Sequence, residues 1–158
     1  MIKMITKTLS FLAITLVMAC SYKPIFTQQN YNFKIEEIKF NGNKDINRVI
    51  KNKLNQIQSP SEQTYSKYFL NINTDKKRVV LSKDSEGDPL KFELIITTNY
   101  EVEKNEKILL NKEIKKNYIY NNSSDKFKLE QDERIILNNI SEEIGNLIIS
   151  SIINLDDN

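Results

Sequence analysis

The residues able to do chemistry in this chain are few, and they exclude more than they suggest. No histidine occurs in the 158 residues, so no Ser-His-Asp or Cys-His nucleophile and no imidazole metal ligand can be assembled. The one cysteine, Cys20, cannot close a disulfide within the chain or build a cysteine-rich zinc site. Adjacent carboxylates stand at Glu36-Glu37 and Glu142-Glu143, but sequence neighbours point apart on a strand or a helix and read as solvated charge. The three glycines, Gly42, Gly87 and Gly145, lie too far apart for a phosphate-cradling loop. What remains is cationic: Lys76-Lys77-Arg78 and Lys115-Lys116 at or near strand ends, and Lys91. Most such runs are wet surface, but beside a membrane they can meet anionic headgroups. No catalytic residue, metal ligand or cofactor is expected, and the chain is read as a non-enzyme.

Charge narrows the partners. Lys and Arg total 23 against 21 Asp and Glu; setting aside Lys3 and Lys7 of a removable leader leaves 21 against 21 over 139 residues. A neutral domain does not bind nucleic acid by bulk charge. Composition is skewed towards Ile (23), Asn (20) and Lys (20), with only three Arg. These favoured residues have A/T-rich codons, so the bias reads as genomic drift that turns many arginine positions into lysine.

The front of the chain assigns a location. Residues 1–19 carry Lys3 and Lys7 and then an apolar run from Leu9 to Met18, half of the ~20 residues that a membrane-spanning helix needs. This is the form of a secretory signal. Leu16-Val17-Met18-Ala19-Cys20 has the pattern of a bacterial lipobox, in which the cysteine becomes the lipidated first residue of the mature protein. Lipidation would also remove an unpaired thiol from an oxidising compartment. Several acyl chains anchor stably where one holds only marginally. Ser21, where no Asp stands, fits onward transfer to the outer membrane, facing the periplasm. Residues 20–30, with Pro24 and a polar Thr27-Gln28-Gln29-Asn30 run, read as a tether.

Residues 31–158 are expected to form one domain. Phe33 and Ile35 alternate, as do Ile38 and Phe40, with one residue too many between the pairs, so a strand over Tyr31–Phe40 bulges near Glu36-Glu37. A helix capped by Asp45 or Asn43 presents Ile46, Val49, Ile50, Leu54 and Ile57 on one face and ends at Ser59-Pro60. A second strand covers Tyr68–Asn73, and Arg78–Leu81 either extends it or starts another. After the Asp84–Pro89 turn, unbroken alternation from Phe92 to Val102 makes the clearest strand. A tight Glu103–Glu106 turn joins it to Ile108–Tyr120, where Ile108, Leu110, Ile114, Tyr118 and Tyr120 share a face interrupted by Lys112 and Lys116. A last long helix spaces Leu129, Glu133, Ile136, Ile140, Ile144, Leu147, Ile148 and Ile152 along one side, weakened at Gly145 by ~1 kcal/mol relative to Ala. The sum is a two-layer α+β domain: a mixed or antiparallel sheet of about four strands with two helices packed on one face.

The order of these features resembles the lipopolysaccharide-assembly lipoprotein LptE family. Cys20-Ser21-Tyr22-Lys23-Pro24-Ile25-Phe26 is similar to that family's Cys-Gly-aromatic-x-Pro-Leu-Tyr opening. Arg48-Val49-Ile50-Lys51-Asn52-Lys53-Leu54 is similar to its Arg-x-Leu-Arg-Asn-x-Leu helix. Tyr68–Ile72 and Thr98–Val102 fit its Tyr-x-Leu-x-Val and Ala-x-Tyr-x-Leu strands, Lys91 stands where relatives often carry Arg, and Glu130–Arg134 resembles the acidic start of its last helix, although relatives favour Ala at Glu133. The resemblance implies a plug inside an LptD-type outer-membrane β-barrel that helps the barrel assemble and assists lipopolysaccharide insertion, with Lys76, Lys77, Arg78 and Lys91 as candidate lipopolysaccharide contacts. The competing expectation is a stand-alone envelope lipoprotein that binds a small ligand or acts as a scaffold.

Overall fold

The computed structural model describes residues 33–57 and 66–156. The leader, Cys20, the tether, the first residues of the expected opening strand and the Ser59-Pro60 stop lie outside them. Described in chain order are β1 (Phe33–Gly42), α1 (Lys44–Leu54), β2 (Ser66–Lys83), β3 (Pro89–Lys104), β4 (Lys107–Asn121) and α2 (Lys126–Asp156). The fold is α+β. The strands lie side by side in sequence order, with β1 parallel to β2 and the other pairs antiparallel.

Alternation decides which face of the sheet is covered. On β3, Phe92, Leu94, Ile96, Thr98, Tyr100 and Val102 all point into the core, while the residues between them, apart from Ile95, carry amides, charges and hydroxyls on the opposite face. The two helices pack on the first face and against each other. Ile46, Ile50 and Leu54 of α1 meet Ile144, Ile148 and Ile152 of α2 and the inner sheet residues in one cluster. Leu137 and Ile149 join it from α2, whereas Leu147, expected on the same side, is 38% exposed.

Several expectations are refined. The bulge falls where β1 carries its surplus residue, the register slipping between Ile35 and Glu37. Asn43 caps α1, its side chain accepting from the backbone N–H groups of Asp45 and Ile46. That helix ends at Leu54, so Ile57 packs on the core from beyond it. Arg78–Leu81 extends β2 because Lys77, Arg78, Val79 and Val80 continue to pair with β3. On β4 only Tyr120 is fully buried; Leu110 and Ile114 are half-buried, and Ile108 and Tyr118 are 52% and 53% exposed. Gly145 sits where α1 crosses α2, with the Lys53 stem 3.0 Å from where its Cβ would stand. The weak point in the helix is therefore the point of closest approach.

The β1–α1 turn is welded to β2 through Thr74. Its backbone carbonyl accepts from Asn43 N–H at 3.1 Å, and its hydroxyl donates to Asn47 Oδ1 at 2.7 Å. Gly42 allows this approach: its φ is +88°, and a Cβ there would fall 1.8 Å from the Thr74 carbonyl oxygen. Gly42→Ala is expected to lower the unfolding free energy by at least ~2 kcal/mol, since left-handed strain and backbone displacement add. Urea unfolding of the variant checks this.

A polar group in the core makes the opposite prediction. Thr98 is fully buried, and its hydroxyl finds no partner among the described residues. Val is nearly the same shape and carries no desolvated hydroxyl. Thr98→Val is expected to raise stability by ~1 kcal/mol, read as a higher urea midpoint with an unchanged slope.

Candidate functional site

The chain holds only three arginines, Arg48, Arg78 and Arg134, and all three line one cleft. It is an open depression of about 1090 Å³ between the start of α1, the far half of β2, the β2–β3 turn and the first turns of α2. Lys76 and Lys126 also face it. In a chain where lysine outnumbers arginine 20 to 3, convergence of the planar guanidinium on one place points to a need for that geometry. Arginine presents a rigid fork of donors that matches phosphate or carboxylate oxygens two at a time, which a lysine ammonium cannot do.

Each wall of the cleft is set by a local feature. The Asn43 cap starts α1 so that Asp45 and Arg48 open towards the cleft. The turn after β2 is held by Asp84, whose Oδ1 accepts from the N–H groups of Glu86 and Asp88 at 3.0 and 2.8 Å. At the entry to α2, Asp125 Oδ1 accepts from Lys128 N–H at 3.1 Å. Asn122 fastens that loop to the turn through a side-chain bond to the Pro89 carbonyl at 2.7 Å.

At the base of the cleft, Glu133 gathers three donors. Lys76 Nζ lies 2.8 Å from Oε1, Arg78 reaches Oε2 at 3.1 Å, and the Tyr120 hydroxyl donates to Oε2 at 2.8 Å. Burial alone would push the Glu133 carboxyl up, but the hydrogen bonds from Lys76 and Tyr120, with the two cations, hold it below the ordinary carboxylate range. Burial and the Glu133 carboxylate push the Tyr120 phenol up to about 12. The hydrogen bond to Glu133 raises the Arg78 guanidinium, against the pull of burial. Arg78 also lies over the Phe92 ring, 4.8 Å from its centroid. It is thus held on two sides with part of its fork towards the opening.

The other two arginines are held loosely. Arg48 pairs with Asp45 and Arg134 with Glu130, both at 3.7 Å, on side chains 68% and 72% exposed. Such pairs contribute ~0–1 kcal/mol, so an incoming anion can exchange for the carboxylates at little cost. The cleft carries five carboxylates beside its five cations; its selectivity rests on arrangement rather than net charge. Among the described residues, no group of three Cys, Asp or Glu side chains could hold a metal, and no helix is long and apolar enough to cross a membrane.

The four lysine and arginine candidates do not form one site. Lys76 and Arg78 lie on the helix side of β2 and line the cleft. Lys77 and Lys91 belong to the alternate positions of β2 and β3 and project from the open face. Arg48, Arg134 and Lys126 were missed because two helices distant in sequence from that half of β2 bring them in. Scarcity of arginine was the signal available: three residues among 158.

No protein-family model matches the chain, and no curated protein matches it by sequence. Solved structures do match. Rare lipoprotein B from Shewanella oneidensis superposes with a TM-score of 0.58 at 14% identity, over 76% of this chain and 96% of that one. The fold is one that bacterial lipoproteins carry. Lipoprotein B from Nitrosomonas europaea gives 0.55 at 12% identity over 80% and 88% of the two chains. A minor lipoprotein from Acinetobacter baumannii gives 0.51 at 14% over 75% and 94%. At these identities the likeness concerns the fold, and it spans most of each lipoprotein.

Proposed function

We propose that this protein is a lipid-anchored lipoprotein of the lipopolysaccharide-assembly type. It is held at the outer membrane through Cys20, sits as a plug in an LptD-type β-barrel, and offers its arginine cleft to the phosphates of lipopolysaccharide. The observation that carries the reading is the convergence of Arg48, Arg78 and Arg134 on one cleft. Supporting it are the lipobox before Cys20, a fold shared with bacterial lipoproteins, and a charge-mixed surface suited to a polar barrel lumen. No bond-making chemistry is asked of the chain; binding and positioning suffice.

The test is barrel assembly. Cells depleted of this protein should accumulate an LptD-type barrel in its unfolded, heat-insensitive form on gels, and re-expression should restore the folded form. A barrel that folds equally well without the chain contradicts the plug. The protein would then be a stand-alone envelope lipoprotein with an anion-binding cleft.

A further inference from the structure

We infer that the free edge of β4 is a self-complementary interface, at which a second copy of this chain pairs antiparallel about a two-fold axis through Ile114. Among the described residues, one side of β4 has no neighbouring strand, and this edge runs for 15 residues. Four large apolar side chains cluster at its two ends: Ile108 (52% exposed) and Leu109 (38%), then Tyr118 (53%) and Ile119 (49%). A long edge with exposed apolar residues is a template for strand pairing.

Symmetry limits how two such edges can meet. A two-fold pair of identical strands must be centred on a residue, because directly opposed side chains share a face. Only Ile114, the midpoint of Lys107–Asn121, lets the whole strand pair. Centring on Lys112, Glu113, Lys115 or Lys116 instead sets a charge against its own copy.

About Ile114 the strand is nearly palindromic in chemistry. Glu113 faces Lys115 of the second copy, twice over, on the open face. Asn111 faces Asn117, Leu110 faces Tyr118, and Leu109 faces Ile119. Lys112 faces Lys116, whose charge is already answered by Glu143 of its own α2. That opposition, which the two-fold repeats, is the cost of this register, and the pairing of Lys116 with Glu143 lowers it.

Cysteine scanning on the mature lipoprotein in detergent micelles tests the register. Antiparallel partners lie ~5 Å apart at Cα, within disulfide reach, so Ile114→Cys should give a cross-linked dimer on mild oxidation. Asn117→Cys places its two copies six residues apart along the pair, ~20 Å, and should not. The parent, whose sole cysteine is Cys20, controls for links through that residue.

Light scattering gives an independent readout that leaves the core intact. Glu113→Lys should weaken the dimer about tenfold, by losing two opposite-charge pairs and opposing like charges, and adding Lys115→Glu should restore it. A monomeric mass at every concentration, equal cross-linking at both positions, or failure of the charge swap to rescue would each overturn the inference. None of these outcomes depends on the barrel or lipopolysaccharide reading.

Discussion

Replacing Arg48 and Arg134 together by glutamine is expected to lower affinity for lipopolysaccharide by about 100-fold without moving the urea unfolding midpoint. Each charge-assisted hydrogen bond to a phosphate is worth ~1.5–3 kcal/mol, or roughly tenfold in binding at the lower end. The stability side is small because both side chains are about 70% exposed and their pairs with Asp45 and Glu130 span 3.7 Å. Isothermal titration with purified lipopolysaccharide, beside urea unfolding, reads both halves. Lys77→Gln with Lys91→Gln is the matched control, since those lysines leave from the open face. An equal loss in the control would move the binding surface off the cleft.

Glu133→Gln should move the two quantities in opposite directions. Glu133 neutralises Lys76 and Arg78 and accepts from Tyr120. Removing its charge leaves two adjacent cations facing each other and is expected to cost ~1–3 kcal/mol of stability. The same change frees those cations for an incoming phosphate, so lipopolysaccharide affinity should rise several-fold.

The pH dependence follows from the shifts. Folding lowers the Glu133 carboxyl, so its contribution is complete above the unfolded carboxylate range and is lost as pH falls through the lowered folded value. Parent and Glu133→Gln should therefore converge in acid. Tyr120 moves the other way, from 10.0 to about 12, so its share is complete below 10 and is lost as pH rises through that window. In Tyr120→Phe, stability should fall less steeply over that range.

The order of elements was legible because local pattern and tertiary demand agree on it. Phe92–Val102 alternates without a break and is buried on the alternating positions, and the surplus residue at Glu36 could be accommodated only as a bulge. The length of β2 was not legible. Asp75, Lys76, Lys77 and Arg78 break the apolar alternation, yet that half of the strand is held by pairing to β3 and by Glu133 beneath it. Glu133 itself was read as a member of an apolar helical stripe, and it does face inward. Its role as a hub depends on Lys76, 57 residues away, which no local pattern encodes. The same holds for the cleft: Arg48 and Arg134 look like ordinary surface on their own helices, and only the packing of α1 and α2 on the sheet makes them neighbours of Arg78.

The central claim is that the chain works inside an LptD-type barrel, and a mild-detergent affinity purification from outer membranes tests it most directly. Mass spectrometry of the eluate should find an LptD-type β-barrel in stoichiometric amount with the lipidated protein. Recovery of the lipidated protein alone, or only with further copies of itself, would contradict that account.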